Sequence, residues 1–148
     1  MQKIIDQILK DTTIRQGNVH GKRHWQKVAE YGRIIAEHEQ MNERILVLFG
    51  WFHDCMRCND GKDPEHGLRA AKYVDTFSGT MLGLTAEEQQ KLSLACRFHT
   101  EECETQDQLV RACWDCDRLD LGRVGIAVDS KRLSTATAKL ILAGELKV

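Results

Sequence analysis

Histidines and aspartates carry the chemistry open to this 148-residue chain. His24, His53, Asp54, His99 and Asp117 fall on inward faces or at the ends of the helices that its apolar spacing predicts. A buried carboxylate is costly unless it is paired or bound to a cation. Two of them in one core beside imidazoles therefore invite a divalent metal. Imidazole with carboxylate is borderline ligation, suited to Mn, Fe, Co, Ni or Zn more than to Ca, with Mg also admitted and one or two ions open.

The elements that must position these groups read as helices throughout. Ile4, Ile5, Ile8 and Leu9 mark a short amphipathic helix over residues 2–10, followed by a polar loop from Thr12 to Arg23. From His24, the apolar residues Val28, Tyr31 and Ile35 follow at i+4, i+7 and i+11, which sets His24 at the head of a buried stripe running to about Glu39. Ile45 to His53 is apolar nearly all round; its length and leucine content favour a central buried helix, with His53 and Asp54 at its end, although the apolar run alone also admits a strand. Neighbours on a helix diverge by about 100°, so His53 and Asp54 share one ion only if the helix end turns them together.

Asp63, Pro64 and Glu65 have the order of an N-cap, first and second helical position, opening a helix through about Phe77 with His66 in its first turn. Thr85 and Glu88 form a capping box for a helix whose inner face holds Leu92, Ala95, Cys96 and His99. A further helix, about Asp107 to Leu121, aligns Val110, Cys113 and Asp117, and Ala136 to Leu146 makes a last one. The expected fold class is all-α, a compact helical bundle. With no repeat, low-complexity run or linker, the chain reads as a single domain over 1–148.

The order H, HD, D on an all-helical chain resembles the HD-domain superfamily of metal-dependent phosphohydrolases, with His24 in GKRHWQKV, His53-Asp54 in GWFHDCMR and Asp117 in DCDRLDLGRVG. The strings HGKRHW, DPEHGLRAA and WDCDRLDLGRVG are further similar to a subgroup of small bacterial HD proteins. The resemblance implies an HD-type bundle in which His24, His53, Asp54 and Asp117 hold one metal. It implies that Asp54 bridges to a second ion, for which His66 and His99 are the candidates. Asp115 is an alternative to Asp117, but it lies off the stripe of Val110 and Cys113. Asp120 and Arg118 are expected to stand behind the ligands.

A divalent cation lowers the pKa of bound water from about 15.7 towards about 7 and neutralises charge on a phosphoryl oxygen. Arg57, Lys62 and Arg69, close to the HD turn or the His66 helix, are the cationic candidates for the phosphate, with Arg118 a fourth. By resemblance, hydrolysis of hyperphosphorylated guanine nucleotides needs an acidic pair where this chain has Arg57 and Cys58. Members acting on cyclic dinucleotides carry a lysine at the position of Arg57 and a GYP-type motif that is absent here. The remaining reading is a hydrolase of a phosphorylated small molecule, a phosphomonoester or nucleotide. The alternatives are a di-iron oxygenase on the same ligands and a non-catalytic module that binds a nucleotide or regulates a partner.

Composition narrows the partners. Twenty-one Lys+Arg against 22 Asp+Glu give a net charge of −1, without the basic excess that would hold nucleic acid. One proline and 11 glycines supply little turn material for a β-sandwich. No membrane-length apolar run or export signal is present, so the expectation is a cytoplasmic chain with reduced thiols, its self-association left open. Cys55-x2-Cys58 and Cys113-x2-Cys116 offer a rival thiolate zinc site or redox dithiol, although the second pair sits mid-helix. Cys96 and Cys103 complete the set. His20 is expected to shape the loop before its helix, and His38 to lie on the surface.

Overall fold

The computed structural model of the chain describes residues 1–14, 18–101 and 105–148, and among these there are helices and no strand. The order is α1 (Gln2–Asp11), α2 (Lys22–Glu39), α3 (Glu43–Phe52), α4 (His66–Val74), α5 (Gly79–Leu82), α6 (Ala86–Phe98), α7 (Gln108–Leu119), two short 3₁₀ turns (Leu121–Val124 and Ser130–Arg132) and α8 (Ala136–Leu142). Cys103 and part of the loop expected between Thr12 and Arg23 lie outside the described residues. No described helix is long and apolar enough to cross a membrane.

The apolar segment Ile45–Phe52 becomes the centre of the bundle because every residue of it is buried. A helix without a polar face needs neighbours on all sides, and α2, α6, α7, α4 and α1 supply them. Asn42 starts α3 by accepting from the Arg44 N–H, and the short link 40–42 folds it back along α2. Two glycines set how closely the helices approach. A Cβ on Gly50 of α3 would lie 2.5 Å from the Ala29 nitrogen of α2. One on Gly67 of α4 would lie 2.6 Å from the Arg97 carbonyl oxygen of α6. Both crossings are therefore backbone against backbone.

The expected capping box is present at Thr85 and Glu88. Asp107 starts α7 by accepting from the Leu109 and Val110 N–H groups. Two helices differ in extent from expectation. The helix containing His66 begins at His66 itself and ends at Val74, and Asp63 does not cap it. The Asp63 carboxylate instead accepts from the Cys58 N–H and from Arg69, closing the loop ahead of the helix. The last helix stops at Leu142 rather than Leu146.

Candidate metal centre

His24 lies in the first turn of α2, His53 caps the end of α3, His66 opens α4, His99 caps the end of α6, and Asp117 lies in the last turn of α7. Five helix ends thus meet at one point. Past Phe52 the chain leaves the helix for a turn closed by Cys55 N–H to Phe52 carbonyl and Arg57 N–H to Asp54 carbonyl hydrogen bonds. That turn brings His53 and its neighbour Asp54 to the same centre. Thr12 and Thr13 hold the turn from outside, their hydroxyls donating to the carbonyls of Cys55 and Arg57 at 2.6 and 2.8 Å.

The histidine Nδ1 atoms all face oxygen. His24 Nδ1 is 2.7 Å from Asp120 Oδ2, His53 Nδ1 is 3.1 Å from the carbonyls of Phe49 and Gly50, and His99 Nδ1 is 2.7 Å from the Cys96 carbonyl. His66 Nδ1 meets the Asp63 carbonyl. A neutral imidazole that donates from Nδ1 keeps its lone pair on Nε2, which is how a second partner orients a metal-ligating histidine. The four Nε2 atoms converge in two pairs: His24 and His53 at 3.0 Å, and His66 and His99 at 3.0 Å.

Asp54 lies between the pairs. Its Oδ1 is 3.1 Å from His66 Nε2 and 3.3 Å from His99 Nε2. Its Oδ2 is 3.7 and 3.8 Å from His24 and His53 Nε2. Asp117 Oδ1 completes the first group at 3.2 Å from His24 and 3.5 Å from His53. Donor atoms each about 2.1 Å from one ion stand about 3.0–3.4 Å apart at adjacent octahedral or tetrahedral corners, so both groups have the dimensions of a metal site. His24, His53 and Asp117 form one metal-capable group, and His53, Asp54 and His99 another.

Burial opposes charge on Asp54, but the imidazoles of His53, His66 and His99 outweigh it and hold the carboxyl well below the usual carboxylate range. Asp117 behaves likewise: burial raises its pKa, and His24 and His53 bring it well below that range. Burial pulls the His24 pKa down, but hydrogen bonds to Asp117 and Asp120 prevail and push it up to about 9. The proton on His24 thereby occupies the electrostatic role of a cation among carboxylates.

The other predicted residues divide. Arg57 reaches the cluster: it is 7% exposed, with Nη1 3.5 Å from Asp54 Oδ1. Arg69 donates to both Asp63 oxygens at 2.7 and 2.6 Å and to the Met56 carbonyl, so it braces the loop and does not reach the cluster. Lys62 is exposed on that loop and is not brought to the cluster either. Asp120 backs His24, while Arg118 donates to the Arg132 carbonyl beside the opening. His20 pairs with Asp60 at 3.2 Å, and His38 is exposed. Asp115 is fully buried and accepts from Ser134 and Thr135 through their N–H and hydroxyl groups, tying the C-terminal segment to α7.

Sequence reasoning missed Arg123, which donates to Asp120 at 2.6 Å. Its position three residues after Asp120 was the available signal. The described thiols form no metal-capable group. Cys55, Cys96, Cys113 and Cys116 are buried and Cys58 is exposed, and among the described residues no metal-capable group contains a cysteine. Burial pushes the four buried thiols well up, away from reactive thiolate.

One side of the cluster is open. Asp117 and His99 border a cavity of about 280 Å³ whose walls include Arg118, Leu121, Ile126 and Val128. The Asp117 side chain is 18% exposed, against 3% for Asp54, so Asp117 faces the opening.

Neither a protein-family model nor a curated protein sequence matches the chain. A solved structure does: a predicted HD superfamily hydrolase from an uncultured Thermotogales bacterium, 21% identical, aligned over 97% of this chain and 83% of its own with a TM-score of 0.77. The chain has the helical fold of an HD domain.

Proposed function

We propose that the chain is a metal-dependent phosphohydrolase acting on a phosphorylated small molecule, a phosphomonoester or nucleotide. The observation that carries this reading is the convergence of four imidazole Nε2 atoms, in two pairs, on opposite oxygens of Asp54. The donor set fits a first-row divalent cation: nitrogen from His24 and His53 with oxygen from Asp117 and Asp54 on one side, and His66, His99 and the other Asp54 oxygen on the second. The structural neighbour, a predicted hydrolase of the same fold, supports it.

Such a cation, when bound, acidifies a water towards neutral pH and offsets charge on a phosphoryl oxygen. The chain's own groups do the rest. Arg57 is held beside Asp54 by the carbonyls of Gly61 and Asn59, which fixes a guanidinium where a phosphoryl group at the cluster would lie. Asp120 keeps His24 oriented, and Arg123 keeps Asp120 in place. The apolar wall of Leu121, Ile126 and Val128 gives the non-phosphate part of a compact substrate a surface to pack on, and Arg118 adds positive charge there. Lys62 and Arg69 act, in this reading, through the loop that holds Arg57.

The test is phosphate release from a panel of sugar phosphates, nucleoside monophosphates and other phosphomonoesters, with Mn²⁺, Co²⁺, Ni²⁺, Zn²⁺ or Mg²⁺ added to metal-free protein. Turnover with at least one pair, lost to chelation and in Asp54→Ala, is expected. Oxygen consumption by iron-loaded protein without phosphate release would replace this reading with a di-iron oxygenase. Ligand protection without turnover would replace it with a binding module.

A further inference from the structure

The two donor groups around Asp54 differ in charge. The group of His24 and His53 has Asp117 to itself, shares Asp54, and has Asp120 behind His24. Among the described residues the group of His66 and His99 has Asp54 alone, and both Nδ1 atoms end on uncharged backbone carbonyls, those of Asp63 and Cys96. Of the acids just ahead of His66, Glu65 is exposed, and Asp63 is committed to Arg69 and the Cys58 N–H.

Arg57 deepens this difference. Its Nη1 is 3.5 Å from Asp54 Oδ1, the oxygen that faces His66 and His99. The same Nη1 lies 3.0 Å from His66 Nε2 and 3.3 Å from His66 Nδ1. Nη1 thus lies against the nitrogens of the ring and adds positive charge beside the Nε2 that would ligate an ion. Donation to the carbonyls of Gly61 at 2.9 Å and Asn59 at 3.3 Å holds it there. A guanidinium does not lose its proton in a protein, and a buried like charge is screened far less than an exposed one.

We infer that Arg57 makes the His66–His99 position much the weaker of two ion positions, so that the resting protein holds one ion tightly, at His24, His53, Asp54 and Asp117, and takes a second only when an anion joins Arg57 there. This rests on the metal-centre reading above. It also gives the second position a condition: a phosphoryl group beside Arg57 offsets the repulsion, and by reciprocity the second ion then strengthens anion binding.

The experiment is a Mn²⁺ titration of the metal-free full chain, followed by calorimetry and by electron paramagnetic resonance, which separates an isolated Mn²⁺ from a spin-coupled pair. In the wild type, the first equivalent should bind at least tenfold more tightly than the second and give the isolated signal. Inorganic phosphate should tighten the second step and bring in the coupled signal. Arg57→Gln should close the gap, Arg57→Lys should keep it, and His66→Ala should remove the weak step and spare the tight one. Two equivalents of equal affinity in the wild type would overturn the inference without recourse to any variant, as would an unchanged gap in Arg57→Gln with native helix content. A wild type that binds no Mn²⁺, or binding unaffected by His24→Ala, would instead overturn the metal-centre reading beneath it.

Discussion

Protons and metal compete for His24. Its pKa of about 9 in the metal-free protein means that at pH 7 the ring carries a proton that must leave before Nε2 can ligate. Metal binding at pH 7 should therefore release close to one proton, and affinity should rise about tenfold per pH unit up to pH 9 and level off above it. Calorimetry in buffers of different ionisation enthalpy counts that proton, and Asp120→Asn should lower the count. Stability has the opposite sign. A folded pKa above the unfolded value of about 6.5 stabilises the metal-free protein below that pH and is lost as pH rises through 9. The melting temperature of metal-free protein should thus fall between pH 7 and 9. Most of the clustered side chains were legible because periodicity says which way a helical residue points: His24, His99 and Asp117 each share a stripe with apolar neighbours. Arg57 was visible as a nearby cation, but its burial against Asp54 depends on the path of the 57–63 loop, which no periodicity encodes.

Helix packing determines how close the imidazole pairs come. Gly50, three residues before His53, lets α3 lie against α2, which carries His24, and Gly67 beside His66 lets α4 lie against α6 near His99. A methyl group at either position meets backbone, which cannot swing aside as a side chain can. Gly50→Ala and Gly67→Ala should each cost about 3 kcal/mol and lower the melting temperature by on the order of 10 °C. Gly67→Ala should also weaken the His66–His99 position selectively, read as loss of the weaker Mn²⁺ step. Neither glycine was informative from sequence alone, because a tolerated helical glycine and a required close approach are spelled the same way. The capping box at Thr85 was readable because its pattern is local. The start of α4 was not: Asp63 has a cap's spelling, and Arg69, six residues on, draws its carboxylate elsewhere.

At the scale of the molecule, the bundle gathers five helix ends at one centre and buries His24, His53, Asp54, His66 and His99 there. The all-helical architecture followed from composition and stripe spacing, and the structural neighbour has the same fold at 21% identity. The cavity beside Asp117 was not foreseeable, since its apolar wall comes from residues 121–128 between α7 and α8, where apolar periodicity fades. Sequence-distant imidazoles and carboxylates stand where they can share one cation. Anomalous diffraction from crystals of the Mn²⁺-loaded protein locates that cation. The predicted result is a peak within coordination distance of His24 Nε2, His53 Nε2, Asp117 Oδ1 and Asp54 Oδ2. A Mn²⁺ peak of full occupancy elsewhere, with none among these four atoms, would contradict it.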